Sequence, residues 1–339
     1  MLLNHRDPFI QTIDAARTIP AVRDLADETI NLPNTSLRQP RLLAGTHVNP
    51  FFVPRQNPQG TVLNSVQALY LIGQLRMAAA NGSNERIVVS GPMKTGSTFV
   101  SQAVYIAFGM RPVDLMLLTM RPFDYALYGA SARQHEIDEL ALLYSCLEPS
   151  GFVAHQHMLC SPFLVRQAEL YRLKFLLLKR NIFDCIVSLD DFCLKTLTST
   201  TDEEGYRQRQ LPPNWAKLGN EQRIHHLLDR FLPFYVNYHT SWALWERQFT
   251  PAPLWISYED DLLGDKAKLA TKICDWMGRS RADADILLKE FLRERDGAQF
   301  HFNKGVSGRG SIIQGANRKR VVDAFDAYSD LADWSELLG

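Results

Sequence analysis

The chain has no excess of charge of either sign, with 37 Lys and Arg against 37 Asp and Glu. No global field therefore draws it to nucleic acid or to an anionic membrane, and an anion site must be made locally. Cysteine is scarce too. The five present (Cys146, Cys160, Cys185, Cys193 and Cys274) are odd in number, widely spaced and contain no CxxC pair. That usage suits a reducing compartment better than a disulfide framework. No apolar run reaches the ~18 residues of a membrane span. The start, MLLNHRDPFIQ, meets charge within six residues and has no apolar h-region. The expectation is a soluble, cytoplasmic protein whose partner is a small molecule, with no membrane and no nucleic acid involved.

The sequence does hold enough apolar residues for a sizeable core, 46% of 339, which fits one large α/β domain. Residues 1 to about 85 carry several prolines, polar patches and one helical pattern, SVQALYLIGQLRMAAA, in which Val66, Leu69, Ile72 and Leu75 recur at helical spacing. Gly82 suits a left-handed end to that helix. This segment is expected to be a partly helical extension packing on a core domain that spans 86–339. Four short apolar runs follow, IVVS (87–90), FVAH (152–155), KFLLLK (174–179) and LWISY (254–258). Each is too short for a helix, and near-continuous apolarity is what a parallel strand covered on both faces requires. Helical patterns at 97–108, 183–195, 221–247 and 265–277 fill gaps between them. Alternating strands and helices predict a central parallel sheet flanked by helices on both faces.

The first strand runs into GPMKTGST (91–98), which keeps the G-x-x-x-x-G spacing of a Walker loop in Gly91 and Gly96. Ser97 stands where a nucleotide triphosphatase places its lysine, and the lysine lies earlier, at Lys94. Such a loop still aims backbone N–H groups and a helix N-terminus at an anion, because first-turn donors lack intrahelical partners. Without the Lys-Ser/Thr pair, and with no Asp-ended strand, Mg–ATP chemistry is weakly supported. The bland alternative is a glycine turn between strand and helix. Two further segments weigh against it. In LLLKRNIFDCIVSLDDF a strand ends in Lys179 and Arg180, and an arginine there faces the crevice where α/β sheets bind ligands. Ser188 lies two helical turns on, so both could hold one phosphate; pairing of Arg180 with Asp184 is the alternative. In FHFNKGVSGRG, Lys304 and Arg309 lie among Gly305, Gly308 and Gly310, a basic nest for a second phosphate or else a solvated loop.

In order and spacing these segments resemble the cytosolic-type sulfotransferases that use 3′-phosphoadenosine 5′-phosphosulfate (PAPS). The P-K-S-G-T-T-W motif is matched by Lys94, Thr95, Gly96, Ser97, Thr98 and conservatively Phe99, with Met93 at the proline. R-x-P-x-D-x-x-x-S is matched by Arg180, Asp184 and Ser188, with Ile182 at the proline. R-K-G-x-x-G-D-W-K is matched by Lys304, Gly305 and Gly308, with Asn303 at the arginine and Arg309 at the aspartate. SYEDDLLGDKAKLATKICDWMG resembles the Y-E-D-L segment and its helix. The likeness covers residues 86 to about 310 and implies a P-loop NTPase-like sulfotransferase fold.

The resemblance implies that residues 95–98 cradle the 5′-phosphosulfate and that Lys94 offsets charge on the bridging oxygen, with no metal required. It places Phe99 against adenine, although core packing competes. It assigns the 3′-phosphate to Arg180 and Ser188, helped by Lys304 and Gly305. Asn303 lacks the family's charge, which Arg309 is expected to replace. The general base falls to His157 in FVAHQHMLCSP, with His155 at the family's lysine. Strand alternation points both rings to one side, the competing reading being one core and one surface histidine. Glu136 is a reserve base. The acceptor is expected to offer a hydroxyl ahead of an amine, and its pocket to draw on 110–150, on 198–221, a long polar stretch with the look of a lid, and on the first 85 residues. A P-loop kinase and a non-catalytic nucleotide binder are the other readings.

Overall fold

The computed structural model describes residues 73–74, 76–115, 137–146, 148–198, 211–212, 214–293 and 306–339. Its centre is a five-stranded parallel sheet in the order β2-β3-β1-β4-β5, built from β1 (Arg86–Ser90), β2 (Arg111–Val113), β3 (Phe152–Gln156), β4 (Lys174–Lys179) and β5 (Leu254–Ser257). The four apolar runs are β1, β3, β4 and β5. Their continuous apolarity follows from burial on both faces. Val88, Ala154, Phe175 and Leu177 enter one core, and Ile87, Val89, Val153, Leu176, Leu178 and Ile256 enter the other. β2 escapes sequence reading because it is three residues, RPV, whose Arg111 and Pro112 are exposed. A proline is tolerated there because the strand lies at the sheet edge.

Helices α1 (Ser97–Phe108), α4 (Ile182–Thr198), α5 (Asn220–Trp245) and α6 (Lys266–Met277) match the four predicted patterns to within about a turn. Between and after them lie α2 (Glu139–Cys146), α3 (Pro162–Tyr171), α7 (Arg281–Leu292) and α8 (Gly315–Asp326). A third core joins α4, α5 and α8 with Trp215 and Trp334. The strand order turns on β1, since β3 pairs on one side of it and β4 on the other. The crevice at the carboxyl end of β1 is thus a topological switch point, where open α/β sheets bind ligands.

Two sequence expectations need correction. Gly82 does follow helical residues 76–81, but its φ is not positive. Its lack of a side chain matters for another reason: a Cβ would stand 2.8 Å from an Arg86 guanidinium nitrogen. That guanidinium is buried, donating to the carbonyls of Ala79 at 2.6 Å and Tyr171 at 2.8 Å. The far end of the supposed lid is also core, with Leu211 and Trp215 buried; 199–210 lie outside the described residues. So do 1–72, and with them most of the expected extension. Its described end sits against α2 through a buried Arg76–Glu139 ion pair of 2.9 Å. All five cysteines are buried thiols. Among the described residues no helix is long and apolar enough to cross a membrane.

Candidate active site

The turn from β1 to α1 is shaped by two left-handed residues, Lys94 at φ 70° and Gly96 at φ 87°. The first is uncommon for a residue with a side chain and marks a conformation held by its surroundings. At Gly96 a side chain would meet Leu262 at 2.8 Å, and at Gly91 it would meet the Thr95 hydroxyl at 2.6 Å. What holds the turn is a set of four donors on four successive carbonyls. His157 Nδ1 donates to Gly91 at 2.5 Å, the Thr95 hydroxyl to Pro92 at 2.7 Å, the Tyr235 hydroxyl to Met93 at 2.9 Å, and Arg180 Nη1 to Lys94 at 2.8 Å. All four oxygens are thereby tied to side chains. Gly96 then accepts from Phe99 and Val100. The amides of Ser97 and Thr98 open α1 and have no intrahelical acceptor. The result is a turn braced at four successive carbonyls, called the cradle below, with its two glycines at the spacing read from the sequence.

Lys94 is partly buried, its ammonium 4.5 Å from the centre of the Phe192 ring. Burial, and then the charge of Arg180, push its pKa down to about 8. A nearby anion would oppose both effects by favouring the charged ammonium. Arg180 is buried and does two things. Besides Lys94 it binds the Val306 carbonyl, at 3.1 Å, and its guanidinium lies 3.8 Å from the centre of the Tyr258 ring. Its Nε is buried with no partner among the described residues. The expected alternative, an Arg180–Asp184 pair, does not form. Asp184 instead accepts from the backbone of Gly308 at 2.8 Å and Gly310 at 2.5 Å, fastening the C-terminal loop to α4. Gly310 has no room for a side chain, since a Cβ would meet Phe183 at 2.3 Å. Ser188 is buried on α4.

His155 and His157 meet edge to face, centroids 5.4 Å apart. His155 Nε2 lies 2.7 Å from the Ser97 hydroxyl, so both rings reach the cradle. A carbonyl can only accept, so the Gly91 contact fixes the proton of His157 on Nδ1 and, in the neutral ring, leaves the basic lone pair on Nε2. Phe99 stacks on Phe291 of α7 at 5.6 Å, which is a core contact. Arg309 pairs with Asp191 at 2.6 Å, so its charge is already balanced. Asn303, Lys304, Gly305 and Glu136 lie outside the described residues. Among the described residues no group of three His, Cys, Asp or Glu could hold a metal ion.

Sequence reasoning missed the residues that brace this site. Tyr235 reads as one more apolar position of α5, yet its hydroxyl anchors Met93. Glu259 accepts from the Asn181 backbone at 3.2 Å, and burial raises its pKa. Only the Y-E-D-L likeness marked that segment, and it did not say what the segment holds.

No protein-family model matches the chain, and no curated protein does. Among solved structures, mouse sulfotransferase SULT7A1 complexed with PAP aligns over 75% of this chain and 84% of its own, at 13% identity and a TM-score of 0.47. Retinol dehydratase in complex with androsterone and inactive cofactor PAP aligns over 76% and 84%, at 16% identity and a TM-score of 0.41. Likeness at that level says nothing about what this chain binds.

Proposed function

We propose that the chain is a PAPS-dependent sulfotransferase acting on a hydroxyl, or less readily an amine, of a small-molecule acceptor. One observation carries the reading: the imidazole of His157 is hydrogen-bonded to the first residue of the anion cradle, at 2.5 Å. A base and a phosphate-type site are thereby joined in one rigid unit. A nucleotide-binding module would need only the brace from Nδ1 and not the basic Nε2, and a kinase would need a lysine after Gly96.

The residues present fit the co-substrate. The cradle offers the amides and hydroxyls of Ser97 and Thr98 to the 5′-phosphosulfate. The orphaned Arg180 Nε is a donor in want of an acceptor, which a 3′-phosphate supplies. Ser188, Asn303, Lys304 and Gly305 join it on the strength of the motif alone. In the transfer, His157 Nε2 takes the proton of the acceptor hydroxyl as its oxygen bonds to sulfur. The bond from sulfur to the bridging phosphate oxygen breaks. Lys94 offsets the charge that collects on that oxygen, in the manner of an oxyanion hole. His155 supports the cradle from beside Ser97.

Adenosine 3′,5′-bisphosphate should raise the melting temperature while ATP, which lacks a 3′-phosphate, raises it far less, since stabilisation follows affinity for the folded state. Arg180→Ala should lose most of the shift, and sulfate transfer from PAPS should persist in chelator. Equal stabilisation by ATP would remove PAPS from the reading.

A further inference from the structure

The two histidines meet the cradle through different kinds of partner. His157 faces a carbonyl, which admits one tautomer. His155 faces the Ser97 hydroxyl at 2.7 Å, and a hydroxyl can donate or accept. The single proton of Ser97 can thus go only one way at a time. With a bare Nε2, His155 draws that proton to itself and the hydroxyl turns lone pairs outward. With a proton on Nε2, His155 donates to Ser97 Oγ and the hydroxyl proton is left for another acceptor. Ser97 is buried and opens α1 directly after left-handed Gly96, so its hydroxyl belongs to the cradle. An anion there can only accept.

We propose that His155 is a positioning residue that sets the direction in which the Ser97 hydroxyl donates, so that the cradle binds a phosphate-bearing anion only with the proton on His155 Nε2. This rests on the cradle binding such an anion, as proposed above, and not on which nucleotide carries it. By linkage, the anion selects the Nε2–H form, and that form holds the anion more tightly. The residue implied at this position by the family motif, a lysine, can only donate. A histidine makes the same donation conditional on its tautomer.

Gln and Glu separate the two directions, since a glutamine amide donates from the place of Nε2 and a carboxylate only accepts. Binding of adenosine 3′,5′-bisphosphate and of ATP is measured by calorimetry for wild type, His155→Gln, His155→Glu, Ser97→Ala and the Ser97→Ala/His155→Glu double variant. His155→Gln should bind the preferred nucleotide within about 2-fold of wild type, the scatter of uncoupled changes. His155→Glu should lose about 10-fold or more, the scale of one charge-assisted hydrogen bond. In the Ser97→Ala background the part of that loss carried by the hydroxyl should disappear, leaving only the repulsion between carboxylate and anion. Equal behaviour of Gln and Glu, or an undiminished loss without the Ser97 hydroxyl, overturns the proposal. Nitrogen NMR of the wild-type histidines is independent of how the variants fold. A nucleotide-bound state with the proton on His155 Nε2 supports the proposal, and a bare Nε2 overturns it. If ATP binds as tightly as the bisphosphate with the same variant pattern, the PAPS reading falls and this one stands. If wild type binds neither, both fall.

Discussion

At the scale of single residues, the bond from His157 to Gly91 changes how its role must be tested. Truncation to alanine removes the proposed base and also releases a cradle carbonyl, so turnover and nucleotide affinity should fall together. His157→Asn keeps a donor in the place of Nδ1 but has no Nε2. It should hold bisphosphate affinity while lowering turnover by roughly 10²–10⁴-fold, the usual worth of a general base. Steady-state kinetics beside calorimetry checks this; an active His157→Asn with a dead Glu136→Gln would move the base to the carboxylate. Lys94 has its own signature. Its pKa is lowered from 10.5 to about 8, chiefly by burial, so the ammonium is present below that value and lost as pH rises through it. Bisphosphate affinity should therefore weaken between pH 7 and 10, by up to about 10-fold per unit. Lys94→Met should bind more weakly at pH 7 and show no such decline. A wild-type affinity flat across this range would separate Lys94 from the anion.

At the scale of elements, the site is a junction of β1, β3, β4, α4, α5 and the C-terminal loop, and its charged groups mostly act as fasteners. Asp184 shows this best. Its carboxylate is buried near the start of α4 and receives two backbone N–H groups from the loop at 308–310. Asp184→Ala should leave those donors unmade, at about 1–3 kcal/mol for each one that stays buried. Urea unfolding would read the loss, and hydrogen exchange would show the Gly308 and Gly310 amides losing protection ahead of the sheet. Unchanged protection of both would mean that Gly310's close packing on Phe183, and not the carboxylate, secures the loop.

At the scale of the whole molecule, two cores cover the faces of the sheet and a third lies among α4, α5 and α8, and buried titratable groups tie stability to pH. His239 on α5 is stacked on Trp255 with ring centroids 6.2 Å apart. Burial, with Lys179 adding, holds it down to about 3 against an ordinary 6.5. Between those values the unfolded chain binds a proton that the folded one refuses. Stability from this group is therefore intact above about 6.5 and declines as pH falls toward about 3. His239→Phe, which keeps the ring, should flatten the fall in unfolding free energy between pH 6 and 4 by up to about 1 kcal/mol per unit. Denaturant titrations at several pH values test it, and parallel curves for variant and wild type would count against it.

Periodicity and spacing were enough to find four of the five strands, the spans of α1, α4, α5 and α6, and the glycine turn between β1 and α1. These are local properties, set by a repeat of two or 3.6 residues or by the few residues of one turn. His155 and His157 do meet, although β3 ends at Gln156 and strand alternation alone does not reach His157. The partners were not legible. Gly91 meets His157 across 66 residues, Lys94 meets Arg180 across 86, and Met93 meets Tyr235 across 142. The same holds for Gly82, whose role comes from a guanidinium folded back over it, and for Asp184, which neighbours Arg180 in sequence yet binds a loop more than a hundred residues on. β2 was invisible because its place is secured by pairing with β3 and not by its own three residues. Which groups become donors and acceptors in the cradle is decided when distant segments are brought within hydrogen-bond reach. Only the tertiary structure does that, because hydrogen bonding depends on distance and angle and leaves no periodic mark in the chain.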